Sequence, residues 1–243
     1  MNVRLDKILG ANGFGSRRDI KRMVRSGALT LNDRIITDPS VFVDPQTDSF
    51  FLNGAPLHIR TSVYLMLNKP QGTVTSTGDP VYPTVMDLLG EPFASMSLFP
   101  VGRLDYDTEG LLIITNDGPL THRLTSPKTG VNKTYYVRLR DPVDDRLFSE
   151  YEQNFRKGIS FHNGYTCLPA VIERAGDGPG SMLLTIQEGK FHQVKKMFKA
   201  SGNEVVYLRR IAMGNLLLDE QLLPGSYREL TREEIAVLCS ETV

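Results

Sequence analysis

The chain has only two cysteines, Cys167 and Cys239, which stand far apart and outside any metal-type pair. Two thiols cannot build a disulfide framework, and a reducing compartment suits them. Its four histidines, His58, His122, His162 and His192, are dispersed, none at ligand spacing from another histidine or a cysteine. No metal site is therefore expected. The 28 Lys and Arg balance 28 Asp and Glu, and zero net charge does not by itself suggest a polyanionic partner. No apolar run approaches the roughly 20 residues that cross a bilayer. The opening MNVRLDKILGANG lacks the apolar core and small-residue cleavage site of a secretory signal. These absences point to a cytoplasmic protein without membrane attachment. There is also no GxxxxGK[ST] loop, no strand-borne GxGxxG and no GxSxG. Nucleotide hydrolysis, dinucleotide redox and serine hydrolysis thus lose their support. Carboxylates, a few cations and tyrosines remain to carry chemistry.

The neutral average hides an uneven distribution. Arg4, Lys7, Arg17, Arg18, Lys21, Arg22 and Arg25 crowd the start of the chain against Asp6 and Asp19. A second group, Lys190, Lys195, Lys196 and Lys199 with Arg209 and Arg210, lies in the last third. Local patches rather than net charge decide where a polyanion docks. Residues 1 to about 60 read as a compact helix-helix-strand unit. Leu5, Ile8 and Leu9 share a helical face, Gly13 to Gly15 end that helix, and Ser16 with Asp19 forms a capping-box pattern opening a second. On the second helix Ile20 and Met23 can face inward while the cations cover the outside. Such a face is either a solvated surface or a nucleic-acid backbone site, and five cations on one short helix favour the second. Short strands at Leu29 to Leu31, Ile35-Ile36, Val41 to Val43 and Phe50 to Leu52 follow, separated by Asn, Asp, Pro and Gly turns.

His58 to Ser62 reads as a linker, which divides the chain into residues 1–60 and 61–243. The second part mixes strands and helices. Strand signals lie at Val63 to Leu67, Leu111 to Thr115, Tyr135 to Leu139, Ala170 to Arg174, Met182 to Ile186, Val205 to Leu208 and Leu216 to Leu218. Asn68 to Gly72 reads as a loop. Helices are expected at Thr84 to Leu89, Pro119 to Leu124, Asp145 to Phe155, Gln193 to Ala200 and, behind a Thr231–Glu234 capping box, Glu233 to Cys239. Strands outnumber helices without alternating with them, so the fold class is α+β with a mostly antiparallel sheet.

The stretch FPVGRLDYDTEGLLIITNDG, Phe99 to Gly118, concentrates carboxylates before a buried-strand pattern. Asp105 and Asp107 stand in a loop bracketed by Gly102 and Gly110. A loop anchored by a rigid strand is a common setting for reactive groups. The alternative is a polar turn capped by its own Asp side chains.

Several stretches carry a resemblance. RLDKILGANGFGSRRDIKRMVRSGALTLND resembles the small RNA-binding module named after ribosomal protein S-four, with Asp33 where that module usually has glycine. LNKPQG, GRLDYDTEGLLIITNDG, KTYYV and EGKFHQVKKMF, in this order, resemble the RsuA-like family of ribosomal RNA pseudouridine synthases. The resemblance covers nearly the whole chain, and its GRLDxxTxGLLxxTNDG signature is highly specific. It implies a catalytic domain with a central antiparallel sheet behind an S-four-type domain, and an isomerase that turns a uridine of rRNA into pseudouridine without a cofactor. Its narrowest form is small-subunit (16S) rRNA at uridine 516; a large-subunit (23S) relative and a non-catalytic assembly factor are the alternatives. The implied partner is rRNA, free or in an assembling particle, and the implied state a monomer.

By position, Asp105 matches the family's catalytic aspartate. A carboxylate suits that role because breaking a glycosidic bond builds positive charge on the sugar. Lys195 in HQVKK matches the cation that holds it ionised, with Lys196 the alternative by register; otherwise Lys195 is an ordinary solvated helix lysine. Tyr135 in KTY matches the tyrosine that stacks on the uracil, where a strand tyrosine is otherwise core. Arg103 matches the arginine that helps extrude the nucleotide, a step needed because a stacked uridine hides its reacting atoms. Asp107, Thr108, Asn116 and Asp117 read as scaffold. Arg4, Lys7, Arg17, Arg18, Lys21, Arg22 and Arg25 are the expected RNA-backbone contacts.

Overall fold

The computed structural model describes residues 2–161 and 164–240. Two compact units emerge, one of residues 1–63 with 86–99, the other of residues 64–85 with 100–243. The linker at His58 to Ser62 thus falls just before the first crossing. A two-part reading does not anticipate that residues 86–99 return to the N-terminal unit.

In the first unit the chain runs β1 (Val3–Arg4), α1 (Leu5–Ala11), α2 (Arg17–Arg25), β2 (Leu29–Leu31), β3 (Arg34–Ile36), β4 (Phe42–Val43), β5 (Phe50–Leu52) and β6 (Ala55–Pro56). The capping box is present: the Asp19 amide donates to the Ser16 hydroxyl, and the Ser16 amide donates to the Asp19 carboxylate. Leu5, Ile8 and Leu9 of α1 meet Ile20 and Val24 of α2 over Leu29, Val43 and Phe50. Val24 rather than Met23 is the second buried residue of α2. That core frees the opposite face of α2 for its cations.

The second unit holds β7 (Tyr64–Lys69), β9 (Glu109–Thr115), α3 (Gly118–Thr125), β10 (Lys133–Leu139), α4 (Asp145–Lys157), β11 (Val171–Arg174), β12 (Ser181–Ile186), α5 (Gln193–Ala200), β13 (Val205–Met213), β14 (Leu216–Leu217), β15 (Tyr227–Glu229) and α6 (Arg232–Ser240). The short β8 (Phe99–Pro100) lies where the chain passes back into this unit. The principal strand order is β11-β12-β10-β13-β9-β7-β15. Along it only β13 and β9 pair in parallel; the other neighbours are antiparallel. The α+β class with a mostly antiparallel sheet therefore holds. Met66, Leu111, Ile113 and Met213 of the sheet pack with Leu120, Leu124 and Leu238 of α3 and α6. Tyr151 and Phe155 of α4 pack with Phe198 of α5 at ring separations of 5.2 to 5.8 Å, which fixes the helix bearing Lys195.

Three local expectations change. Asn68 and Lys69 close strand β7 and are fully buried. Strand β13 runs on through Arg209 and Arg210 to Met213, because Arg210 is taken inside rather than left in solvent. The segment expected to be a helix at Thr84 to Leu89 is a 3-10 turn over Val85–Leu88.

Candidate active site

The loop carrying Asp105 turns at Gly102 (φ +73°) and Gly110 (φ +104°). At Gly110 the requirement is steric as well: a Cβ there would lie 2.2 Å from the carbonyl oxygen of Arg210, the residue it pairs with across the parallel junction. Between these glycines the backbone is tied down on both sides of Asp105. The Thr75 hydroxyl donates to the Leu104 carbonyl at 2.8 Å and accepts from the Leu104 amide at 3.1 Å. Lys69 Nζ donates to the carbonyls of Thr108 at 2.9 Å, Pro70 at 3.0 Å and Tyr106 at 3.4 Å. Burial pushes the Lys69 ammonium down to about 8, although Asp107, Asp105 and Glu109 pull the other way. A buried cation with no carboxylate in contact among the described residues is retained here as a clamp on main-chain oxygens.

Ninety residues further on, α5 brings Lys195 to this loop. Its Nζ lies 3.3 Å from Asp105 Oδ2 and 2.5 Å from Asp107 Oδ1. Lys196, one step along the helix, turns instead to the Phe191 ring at 4.9 Å. Burial opposes ionisation of Asp107, but the Lys195 hydrogen bond and charge outweigh it, and the carboxyl sits below its usual range. His192 Nε2 is 3.7 Å from Asp105 Oδ1. Tyr135, buried on β10, lines the same cleft of about 60 Å³ with Asp105, Arg103, Lys195, His192 and Leu208. Arg103 is exposed at that cleft. Arg210 is buried on β13 as cross-strand neighbour of both Tyr135 and Gly110. Its Nε donates to the Leu111 carbonyl at 2.8 Å, while Nη2 has no hydrogen-bond partner among the described residues. Burial pushes this guanidinium below its ordinary value, and the Tyr135 hydroxyl acts in the opposite direction. Asp117 caps α3, accepting from the Leu120 amide at 2.9 Å and the Tyr64 hydroxyl at 2.8 Å.

The seven N-terminal cations fall into two groups. Arg4, Lys7 and Arg17 line one groove, and Arg18, Lys21, Arg22 and Arg25 another on the outer face of α2. Arg4 is engaged by Asp6 and Arg22 by Asp19. The rest of the second group faces solvent.

Residues 63–200 match the model of the RNA pseudouridylate synthase family, and residues 3–48 that of the S4 domain. The chain belongs to the RNA pseudouridylate synthase family. It is 43% identical over 236 residues to ribosomal small subunit pseudouridine synthase A of Escherichia coli (strain K12), covering 96% of this chain and 99% of that protein. It is 46% identical over 238 residues to the uncharacterized RNA pseudouridine synthase YtzG of Bacillus subtilis (strain 168), covering 97% and 98% respectively. A crystal structure of a pseudouridylate synthase superposes with a TM-score of 0.67 at 40% identity, over 97% of this chain and 99% of that one. This protein is thus a pseudouridine synthase of RsuA type, an isomerase acting on RNA, with an S4 domain at its N-terminus.

Within this synthase four side chains at the site differ from what their sequence setting suggests. Asp107, which reads as loop scaffold, shares Lys195 with Asp105. His192 has no second metal ligand at suitable spacing, and its actual neighbour is a carboxylate. Lys69 and Arg210 read as loop and surface because buried cations defy the usual burial preference. The signal available for all four is proximity to a motif; the strand pairings of β7, β9 and β13 and the docking of α5 turn that into contact.

Proposed function

We propose that this synthase isomerises a specific uridine of small-subunit (16S) rRNA, in the narrowest reading uridine 516, with Asp105 as the acting carboxylate. The observation that carries the reading is the ammonium of Lys195, brought from a distant helix to 3.3 Å from Asp105 in a cleft that Tyr135 also lines. Asp105 attacks C1′, or supports the positive charge developing there, as the bond from C1′ to N1 breaks. The freed uracil turns and rejoins C1′ through C5, displacing the Asp105 carboxylate where it has bonded there; the C5 proton leaves and N1 gains one. Atoms balance without a cofactor, since bonds are exchanged and nothing is oxidised. Lys195 holds the carboxylate in place through this contact. The Tyr135 ring packs on the uracil, and Arg103 fills the space left by the extruded nucleotide.

In this account residues 1–60 form the RNA-binding domain and residues 61–243 the catalytic one. Arg4, Lys7, Arg17, Arg18, Lys21, Arg22 and Arg25 contact phosphates, which position the RNA without reading its sequence. The protein acts in the cytoplasm as a monomer on rRNA, free or within an assembling particle. Full-length similarity to the Escherichia coli small-subunit enzyme supports the choice of subunit. Mapping pseudouridines in rRNA from a strain lacking this protein tests it: one small-subunit position should revert to uridine. Loss of a large-subunit position instead would transfer the assignment to 23S rRNA, and no change at any position would refute it.

A further inference from the structure

Beside the Asp105 cleft the catalytic unit exposes a second surface that the proposed chemistry does not use. Phe161, Tyr165, Phe191, Lys190, Lys196 and Lys199 line a groove of about 670 Å³. Phe191 is 69% exposed, an unusual position for a ring of that size. It stacks on His192 with centroids 3.7 Å apart, and Lys196 Nζ lies 4.9 Å from the ring. Lys190 Nζ stands 5.2 Å over the Tyr165 ring. Lys190 lines both this groove and the Asp105 cleft, so the two are contiguous.

The exposed ring is held there by the loop around it. Buried Glu188 accepts from Gln193 Nε2 at 2.8 Å, from the Leu168 amide at 2.8 Å and from the Tyr165 hydroxyl. The Lys190 amide in turn donates to Gln193 Oε1 at 3.0 Å. His192 adopts a left-handed backbone, φ +54°, which few non-glycine residues hold. Glu188 is only 3% exposed, and among the described residues no carboxylate lines the groove. The result is a fixed array of π-faces and ammonium groups, the combination that binds single-stranded nucleic acid through base stacking and phosphate attraction.

We propose that this groove holds the RNA nucleotides flanking the target uridine, with an unpaired base on the Phe191 ring and phosphates on Lys190, Lys196 and Lys199. The inference rests on the reading of the Asp105 cleft as the uridine site. Extruding the uridine leaves its neighbours without a stacking partner, and the groove supplies one next to that cleft. Lys196 leaves the ring for a phosphate when the base arrives.

The chain has no tryptophan, so Phe191→Trp introduces a sole reporter at the groove. The test uses the full-length protein and an rRNA fragment in which the wild type forms pseudouridine, together with versions trimmed by two nucleotides on the 5′ or the 3′ side of the target. Fluorescence of the introduced tryptophan should be quenched on titration with the untrimmed fragment. Phe191→Ala should weaken binding about tenfold, within the range measured for stacked bases, with Phe191→Trp restoring it. The penalty should vanish on one trimmed fragment. Lys196→Gln with Lys199→Gln should lower the slope of log affinity against log salt by about 1.4, two single-strand phosphates' worth. Leu223→Ala, an exposed apolar residue elsewhere in the unit, is the control. Unquenched fluorescence, equal losses on all fragments, or quenching by an acidic peptide but not by RNA would overturn the groove assignment while leaving pseudouridine formation intact. If the wild type modifies no rRNA fragment, it is the reading of the Asp105 cleft that fails.

Discussion

Lys69→Met offers a quantitative check on how the loop carrying Asp105 is held. The substitution keeps the length of the side chain and removes the donors to the Thr108, Pro70 and Tyr106 carbonyls. At neutral pH two effects oppose each other. The native state holds an ammonium whose affinity for its proton has fallen from 10.5 to about 8, a penalty of about 3 kcal/mol. Against this stand two well-formed charged hydrogen bonds worth about 1.5–3 kcal/mol each. The variant should therefore lose only about 0–3 kcal/mol near pH 7, although the loop beside Asp105 loses its clamp and activity falls. The pH dependence separates the terms. Between pH 8 and 10.5 the unfolded chain still binds the Lys69 proton that the native state has released. Wild-type stability must then rise with pH relative to the variant, by about 1.4 kcal/mol per unit and about 3 kcal/mol in all, an advantage lost again as pH falls through 8. Urea unfolding followed by circular dichroism at intervals from pH 7 to 10 measures this difference. Parallel profiles for the two proteins would refute the buried charged lysine.

The remaining expectations concern the turn, the cation pair and the RNA face. Gly110→Ala should prevent folding of the catalytic unit, because its Cβ would overlap the Arg210 carbonyl at 2.2 Å, whereas Gly54→Ala, with nothing within 4 Å at a similar positive φ, should cost about 1 kcal/mol; thermal unfolding of both variants decides. Lys195→Met should slow single-turnover pseudouridine formation at least a hundredfold, since at 3.3 Å the gross attraction is about 5 kcal/mol at an effective dielectric of 20 and partial exposure leaves roughly 3. Asp107→Asn, which leaves Lys195 to Asp105, should cost less than tenfold in the same assay. Replacing Arg18, Lys21 and Arg25 by Gln should weaken rRNA binding uniformly across sequences and flatten its salt dependence by about one unit for each phosphate no longer neutralised.

Much of this architecture is legible in the sequence because its signals are local. The capping box of Ser16 and Asp19, the helix at Gln193 to Ala200 and the strand at Leu111 to Thr115 each follow from a few adjacent residues. The α+β class follows from counting strands that helices do not separate. Local rules fail where a residue's environment is made by distant chain. Lys69 and Arg210 look like solvated cations until β7, β9, β10 and β13 close over them, and the contact between Asp107 and Lys195 spans 88 residues. The return of residues 86–99 to the N-terminal unit likewise has no signature in spacing or periodicity. Motif resemblance locates Asp105, Tyr135 and Lys195, but it does not say that Lys196 faces an aromatic groove.

The central claim is that Asp105 acts on the sugar while the rest of the protein brings RNA to it. Asp105→Asn removes the charge and keeps the shape. With an rRNA fragment that the wild type modifies, the variant should form no pseudouridine and bind the fragment within a few fold of wild-type affinity, without releasing free uracil. Pseudouridine formed by the variant at the wild-type rate would contradict the account.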